Sequence, residues 1–147
     1  MLERIISLEE LTILVAEVVA ELRTVAPAGA TVLALHGDLG AGKTTFVQAL
    51  GTALCVAEQI TSPTFTIMKG YETNDSDFAH LVHMDAYRID DLTELGPLRF
   101  SEILATSQTL LCIEWVEKIA TALPSNVLHL YLEVASENTR TVRIGRL

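Results

Sequence analysis

The segment Gly37-Asp38-Leu39-Gly40-Ala41-Gly42-Lys43-Thr44 carries the most legible chemistry in this 147-residue chain. Phosphate oxygens need several hydrogen-bond donors converging at short range, and glycines let a backbone curl until consecutive N–H groups point inward. Lys43 supplies a cation for β- and γ-phosphates, and a helix starting there adds the positive end of its dipole. Thr44 offers a hydroxyl oxygen to Mg²⁺, a cation that favours oxygen ligands in octahedral geometry. The spacing Gly37-x4-Gly42-Lys43-Thr44 meets the Walker A pattern in full. A chance glycine-rich turn is the ordinary alternative. The setting argues against it, because an apolar strand candidate precedes the loop and an amphipathic helix candidate follows. None of Lys43, Lys69 and Lys118 has Asp two positions later, so the Asn-Lys-x-Asp reader of guanine is missing and ATP is the expected nucleotide.

Such a loop needs a carboxylate at the end of a neighbouring strand, to hold Mg²⁺ or to place the attacking water. Leu110-Leu111-Cys112-Ile113 leads straight into Glu114, although a strand that merely ends in a solvated Glu looks the same. In His83-Met84-Asp85-Ala86-Tyr87-Arg88, alternation puts His83 and Asp85 on one face of a strand. That face could turn to the phosphates; a polar strand end with a local Asp–Arg pair is the plainer reading. Two ligands without a cysteine cluster fall short of a closed zinc site. Either Asp85 or Glu114 could contact the metal. Trp115 is the only tryptophan, a packing residue by default. Thr61-Ser62-Pro63-Thr64-Phe65 reads as a mobile loop sensing the γ-phosphate or as a turn into a strand.

The elements that must position these groups follow from periodicity. Ser7 and Glu10 form a capping-box pattern ahead of a helix whose apolar face is Leu11, Leu14, Val15, Val18, Val19 and Leu22, ended by Pro27 and Gly29. Thr31–His36 is a buried strand, then a helix is expected from about Lys43 to Leu54. Thr64–Tyr71 and His80–Tyr87 read as an antiparallel hairpin across a turn-rich Thr73–Asp77. Short helices are expected at Asp90–Leu95 and Ser101–Ala105, a buried strand over Thr109–Ile113, and a helix over Trp115–Leu123. Strands Val127–Val134 and Thr139–Ile144 flank a turn at Ser136-Glu137-Asn138. The order predicts an α/β, P-loop NTPase-like fold in one domain over residues 1–147, with a parallel central sheet, antiparallel edge strands and flanking helices.

Composition bounds the partners. Half the residues are hydrophobic and 20% are charged, which suits a globular core. A formal net charge of −9 disfavours unassisted RNA or DNA binding and suits a protein partner with a basic face. Arg140, Arg143 and Arg146 form a modest basic cluster or, more plainly, charged tips on a solvated hairpin. Cys55 and Cys112 read as buried small hydrophobes. No signal-peptide run opens the chain and no uncharged apolar stretch approaches membrane-spanning length, so a cytoplasmic location is expected.

GDLGAGKTTF, SPTF, HMDAYR and IEWVEK occur here in the order and spacing of one family, and the chain resembles TsaE, the bacterial ATPase of tRNA threonylcarbamoyladenosine biosynthesis. The likeness runs from the capped first helix to the final hairpin. It implies an ATP hydrolase that works in complex with the TsaB–TsaD pair, which modifies adenosine 37, so that tRNA is reached only through partners and neither DNA nor a membrane is involved. It implies phosphate binding by Gly40, Ala41, Gly42, Lys43, Thr44 and Thr45, and Mg²⁺ at Thr44 and Glu114. Asp85 would be a further acid needed for turnover, with Lys43 and Glu114. Trp115 would lie beside the nucleotide or a partner, and Thr12 near the base. Gln48-Ala49 and Lys69-Gly70 depart from the family's usual residues. A small-molecule or nucleoside kinase and a nucleotide-operated binding switch are the competing functions; a kinase usually adds an arginine-bearing lid, and no Arg-rich insertion occurs in this sequence.

Overall fold

The computed structural model describes residues 2–25, 28–63 and 66–146. Seven strands form one sheet: β1 (Leu2–Ser7), β2 (Thr31–His36), β3 (Met68–Glu72), β4 (His80–Asp85), β5 (Thr109–Glu114), β6 (Leu128–Ser136) and β7 (Thr139–Arg146), in spatial order β1-β7-β6-β2-β5-β4-β3. The central four, β6, β2, β5 and β4, run parallel; β3 is antiparallel at one edge, and β7 and β1 are antiparallel additions at the other. The P-loop α/β class expected from the sequence is the class observed.

Strands buried on both faces must be apolar throughout, and β2 and β5 read TVLALH and TLLCIE for that reason. Alternation sends Leu33, Leu35, Leu110 and Cys112 to one face, where Leu14, Val18 and Leu22 of α1 (Leu11–Leu22) and Phe46 and Leu50 of α2 (Lys43–Ala53) cover them. Val32, Ala34, Leu111 and Ile113 go to the other face, against Leu95, Ile119 and Phe100 of α3 (Phe100–Ala105). Phe46 is fully buried, and its truncation to Ala is worth about 3–5 kcal/mol of stability. With the four central strands parallel, the ends of β2, β4 and β5 emerge at one edge of the sheet, where open α/β sheets bind ligands.

Several local expectations change. Nothing in the sequence reading anticipated β1, which pairs with β7 in a register running from Leu2↔Ile144 to Ser7↔Thr139. That pairing makes β7 an interior strand, so its arginines are not solvated tips. Arg143 Nε lies 3.7 Å from Glu3 and its guanidinium stacks 4.6 Å over Tyr131, while Arg146 Nε lies 3.8 Å from Glu21. Ser7 and Glu10 do bond, with Ser7 N donating to Glu10 Oε1 at 2.9 Å, but they open a 3-10 turn at Leu8–Glu10 that leads into α1. Pro27, Thr64 and Phe65 lie outside the described residues; β3 starts at Met68. The helix expected over Trp115–Leu123 is two 3-10 turns, Val116–Lys118 and Ala120–Ala122, because Ile119 between them sits at φ −131°, ψ 20°, outside helical geometry. The Asp90–Leu95 helix shrinks to a 3-10 turn at Leu92–Leu95, capped by Asp91, whose side chain accepts from Thr93 N at 2.9 Å. Cys112 is buried as expected, and its desolvated thiol is held far above the ordinary range. Cys55 is exposed, since α2 ends just before it in a left-handed turn at φ 60°. Among the described residues no helix is long and apolar enough to cross a membrane.

Candidate nucleotide site

A cavity of about 660 Å³ opens at the strand ends. Its floor is the glycine loop between β2 and α2. Gly42, the N-cap of α2, has φ 107°, ψ 18°, which an L side chain rarely adopts. Gly37 is required for space, because a Cβ there would meet Leu132 O at 2.5 Å. The first-turn N–H groups of α2 have no partner within the helix and, with the dipole, make the N-terminus an anion site. Ala41 contributes differently from expectation: its N–H already donates to Asp38 O at 3.0 Å, and its carbonyl accepts from Arg140 Nε at 3.0 Å.

Lys43 bends back over the loop, donating from Nζ to Gly37 O. The same Nζ is 3.9 Å from Glu114 Oε1 and 5.9 Å from the centre of the Trp115 ring. Glu114 ends β5 directly beside Asp85 at the end of β4, the two being register partners. Both carboxylates lie on the α1/α2 side of the sheet, nearly buried, and both line the cavity. Glu114 Oε2 is 2.7 Å from His83 Nε2. Asp85 Oδ1 accepts from Tyr87 N at 3.0 Å, the bond that turns the chain out of the strand. Tyr87 and Trp115 form a half-exposed aromatic lip, ring centres 5.0 Å apart.

Gly40, Ala41, Gly42, Lys43, Thr44, Thr45, Asp85, Glu114 and Trp115 all line this cavity, so the sequence-nominated groups are brought together with one exception. Thr12 is exposed on α1 and does not line it; Leu11, one position earlier, turns inward instead. Leu11, Ile6, Leu8 and Leu132 form an apolar end that no motif announced. Arg140 and Ser62 also line the cavity, and Gln48 Nε2 donates to Ile60 O at 2.8 Å, two residues before Ser62. Arg140 reaches a loop 99 residues away, so only the fold could reveal its contact. Behind the loop, His36 Nε2 lies 2.8 Å from His129 Nδ1, and burial holds both imidazoles below their ordinary pKa, for His36 with help from His129.

For Mg²⁺, the cavity presents Thr44, Asp85 and Glu114, all hard oxygen donors. No group of three His, Cys, Asp or Glu side chains suited to a metal occurs among the described residues. The donors therefore fit a Mg²⁺ that arrives with phosphate and keeps several waters, the usual mode for this ion.

The family profile described as "Threonylcarbamoyl adenosine biosynthesis protein TsaE" matches residues 7–142. The chain belongs to the TsaE family. Its relatives include the tRNA threonylcarbamoyladenosine biosynthesis protein TsaE of Aquifex aeolicus (strain VF5), 40% identical over 146 residues, covering 98% of this chain and 96% of the relative. TsaE of Bacillus subtilis (strain 168) is 39% identical over 111 residues, 76% of this chain and 66% of the relative. Among solved structures, one described as Bacillus subtilus YdiB superposes with TM-score 0.66 at 30% identity, covering 96% of this chain and 82% of that one. TsaE proteins are involved in tRNA threonylcarbamoyladenosine biosynthesis, which places this chain in tRNA modification.

Proposed function

We propose that this chain hydrolyses Mg·ATP and, in complex with the TsaB–TsaD pair, supports threonylcarbamoylation of adenosine 37 in tRNA. One observation carries the reading: Lys43, Thr44, Asp85 and Glu114, from three separate elements, line a single cavity at the N-terminus of α2. In this reading the triphosphate lies along Gly40–Thr45 and the base takes the apolar end at Ile6, Leu8 and Leu11. Lys43 neutralises charge on the β- and γ-phosphates, work that positioned cations do best in a water-poor site. Thr44 and Glu114 would hold Mg²⁺, which when bound offsets charge on the bridging oxygens. Asp85 orients the attacking water, whose oxygen bonds to the γ-phosphorus as the bond to the β–γ bridging oxygen breaks. The water proton passes to phosphate and ADP leaves.

Phosphate release from ATP by the purified chain, with and without the TsaB–TsaD pair, tests this. Slow release alone and faster release with the pair are expected, with loss in Lys43→Ala and in Glu114→Gln. Parent-rate hydrolysis by Glu114→Gln within the complex would refute the role given to that carboxylate. Transfer of the label to a metabolite instead of inorganic phosphate would mark a kinase.

A further inference from the structure

His83 has no place in the scheme above, yet its position is the most unusual of any polar residue near the site. It is 0% exposed, in mid-strand on β4, and its Nδ1 is a buried polar atom with no hydrogen-bond partner among the described residues. An unpaired polar atom inside a core is unfavourable, and an apolar side chain of similar volume avoids the penalty. Packing alone therefore does not explain an imidazole here.

The other ring nitrogen supplies the reason. Nε2 lies 2.7 Å from Glu114 Oε2. The β4–β5 register pairs His83 with Cys112 and Asp85 with Glu114, so the imidazole sits one step back from the carboxylate on the same face. With a proton on Nε2 the ring donates to Oε2, and Nδ1 is the ring atom left unmatched. Oε1 stays 3.9 Å from Lys43 Nζ, short of a direct bond, while Lys43 donates to Gly37 O. Among the described residues no other hydrogen bond holds the Glu114 carboxylate off an ammonium so near. The pair would otherwise close in a nearly dry site, where both side chains are about one-tenth exposed and direct charge-assisted bonds are strong.

We infer that His83 is a positioning residue: it holds Glu114 by Oε2 so that Oε1 faces the nucleotide cavity instead of collapsing onto Lys43. The inference rests on the reading of Glu114 as a nucleotide-site carboxylate. Misplacement of a reacting or metal-holding group by about 1 Å lowers turnover roughly 10²-fold.

Two variants separate positioning from mere packing because they order oppositely. His83→Leu suits the apolar surroundings, whereas His83→Gln restores an N–H donor near Nε2 but buries an amide. Melting temperature should rank Leu at or above Gln. ATP turnover should rank the other way, with Gln within about 5-fold of the parent and Leu reduced about 10–100-fold in kcat. A crystal structure of His83→Leu should show Glu114 Oε1 within about 3 Å of Lys43 Nζ. Activity that follows stability, or a Glu114 side chain unmoved in that crystal structure, would overturn the inference. Should the parent hydrolyse no ATP even with its partners, the proposed function fails while the Lys43–Glu114 distance still decides the tether.

Discussion

Replacing Gly37 by Ala tests how tightly the sheet defines the glycine loop. The new Cβ would sit 2.5 Å from Leu132 O and 3.0 Å from the Ala41 Cβ, with the backbone at φ 153°. Ordinary van der Waals contact begins at 3.4 Å, so the loop must withdraw by a large part of an ångström from a β6 carbonyl that the sheet holds fixed. Overpacking of that size costs about 1–3 kcal/mol. For a domain of this length each kcal/mol lowers Tm by about 3–4 °C, and the melt should fall by roughly 3–12 °C. Gly37 O also receives the Lys43 ammonium, so the displacement spoils the phosphate clamp. Loss of one charge-assisted bond is worth about 1.5–3 kcal/mol, which makes nucleotide affinity roughly 10–150-fold weaker. Gly70→Ala is the control, having nothing within 4 Å of its Cβ and no positive φ; it should melt and bind like the parent. Differential scanning fluorimetry with a nucleotide titration reads both effects. A Gly37→Ala protein matching the parent in melt and affinity would refute the steric reasoning.

Arg140→Ala should weaken nucleotide binding by about 3–10-fold, since the guanidinium fixes the Ala41 carbonyl while Nη1 donates to Ser136 O at 3.1 Å. Arg140→Lys should rescue little, because an ammonium cannot span both carbonyls as the planar fork does; calorimetry decides, and full rescue by Lys would dismiss the fork. The Arg23 guanidinium, with Nη2 2.6 Å from Asp75 Oδ1, holds that carboxyl down at about 2 instead of the usual 3.8. A depressed carboxylate stabilises the fold above its unfolded pKa, so this contribution is complete above about pH 4 and disappears as pH falls towards 2. Acid unfolding followed by circular dichroism should begin at higher pH in Arg23→Ala, and an unchanged acid limb would show that the pair adds nothing.

The phosphate loop was legible because its chemistry is local: donors, cation and hydroxyl must occupy fixed offsets within eight residues. Glu114 and Asp85 were legible as strand-end acids because their strands are apolar and buried. What eluded the sequence is what depends on register across the sheet. β1 shows no clean alternation, with Ile5 exposed and Ile6 buried, and it exists because β7 offers it an edge. Once β1 is in place, Ile6 and Leu8 become the apolar end of the cavity and Arg140 is drawn to the loop. Thr12 was carried over by position on a helix, where a one-residue offset turns a side chain about 100° away. The expected Trp115–Leu123 helix is interrupted at Ile119, whose backbone leaves helical geometry, and such a local departure leaves no mark in hydrophobic periodicity.

The central claim is that the amides at the start of α2, with Lys43, grip a nucleotide phosphate chain. Trp115, the only tryptophan, stands at the cavity lip and reports on it directly. Titrating the purified chain with Mg·ADP and Mg·ATP should give a saturable fluorescence change below about 1 mM, weakened at least 10-fold in Lys43→Ala at unchanged melting temperature. No association with either nucleotide at millimolar concentration, alone or with the partner pair, would contradict the account.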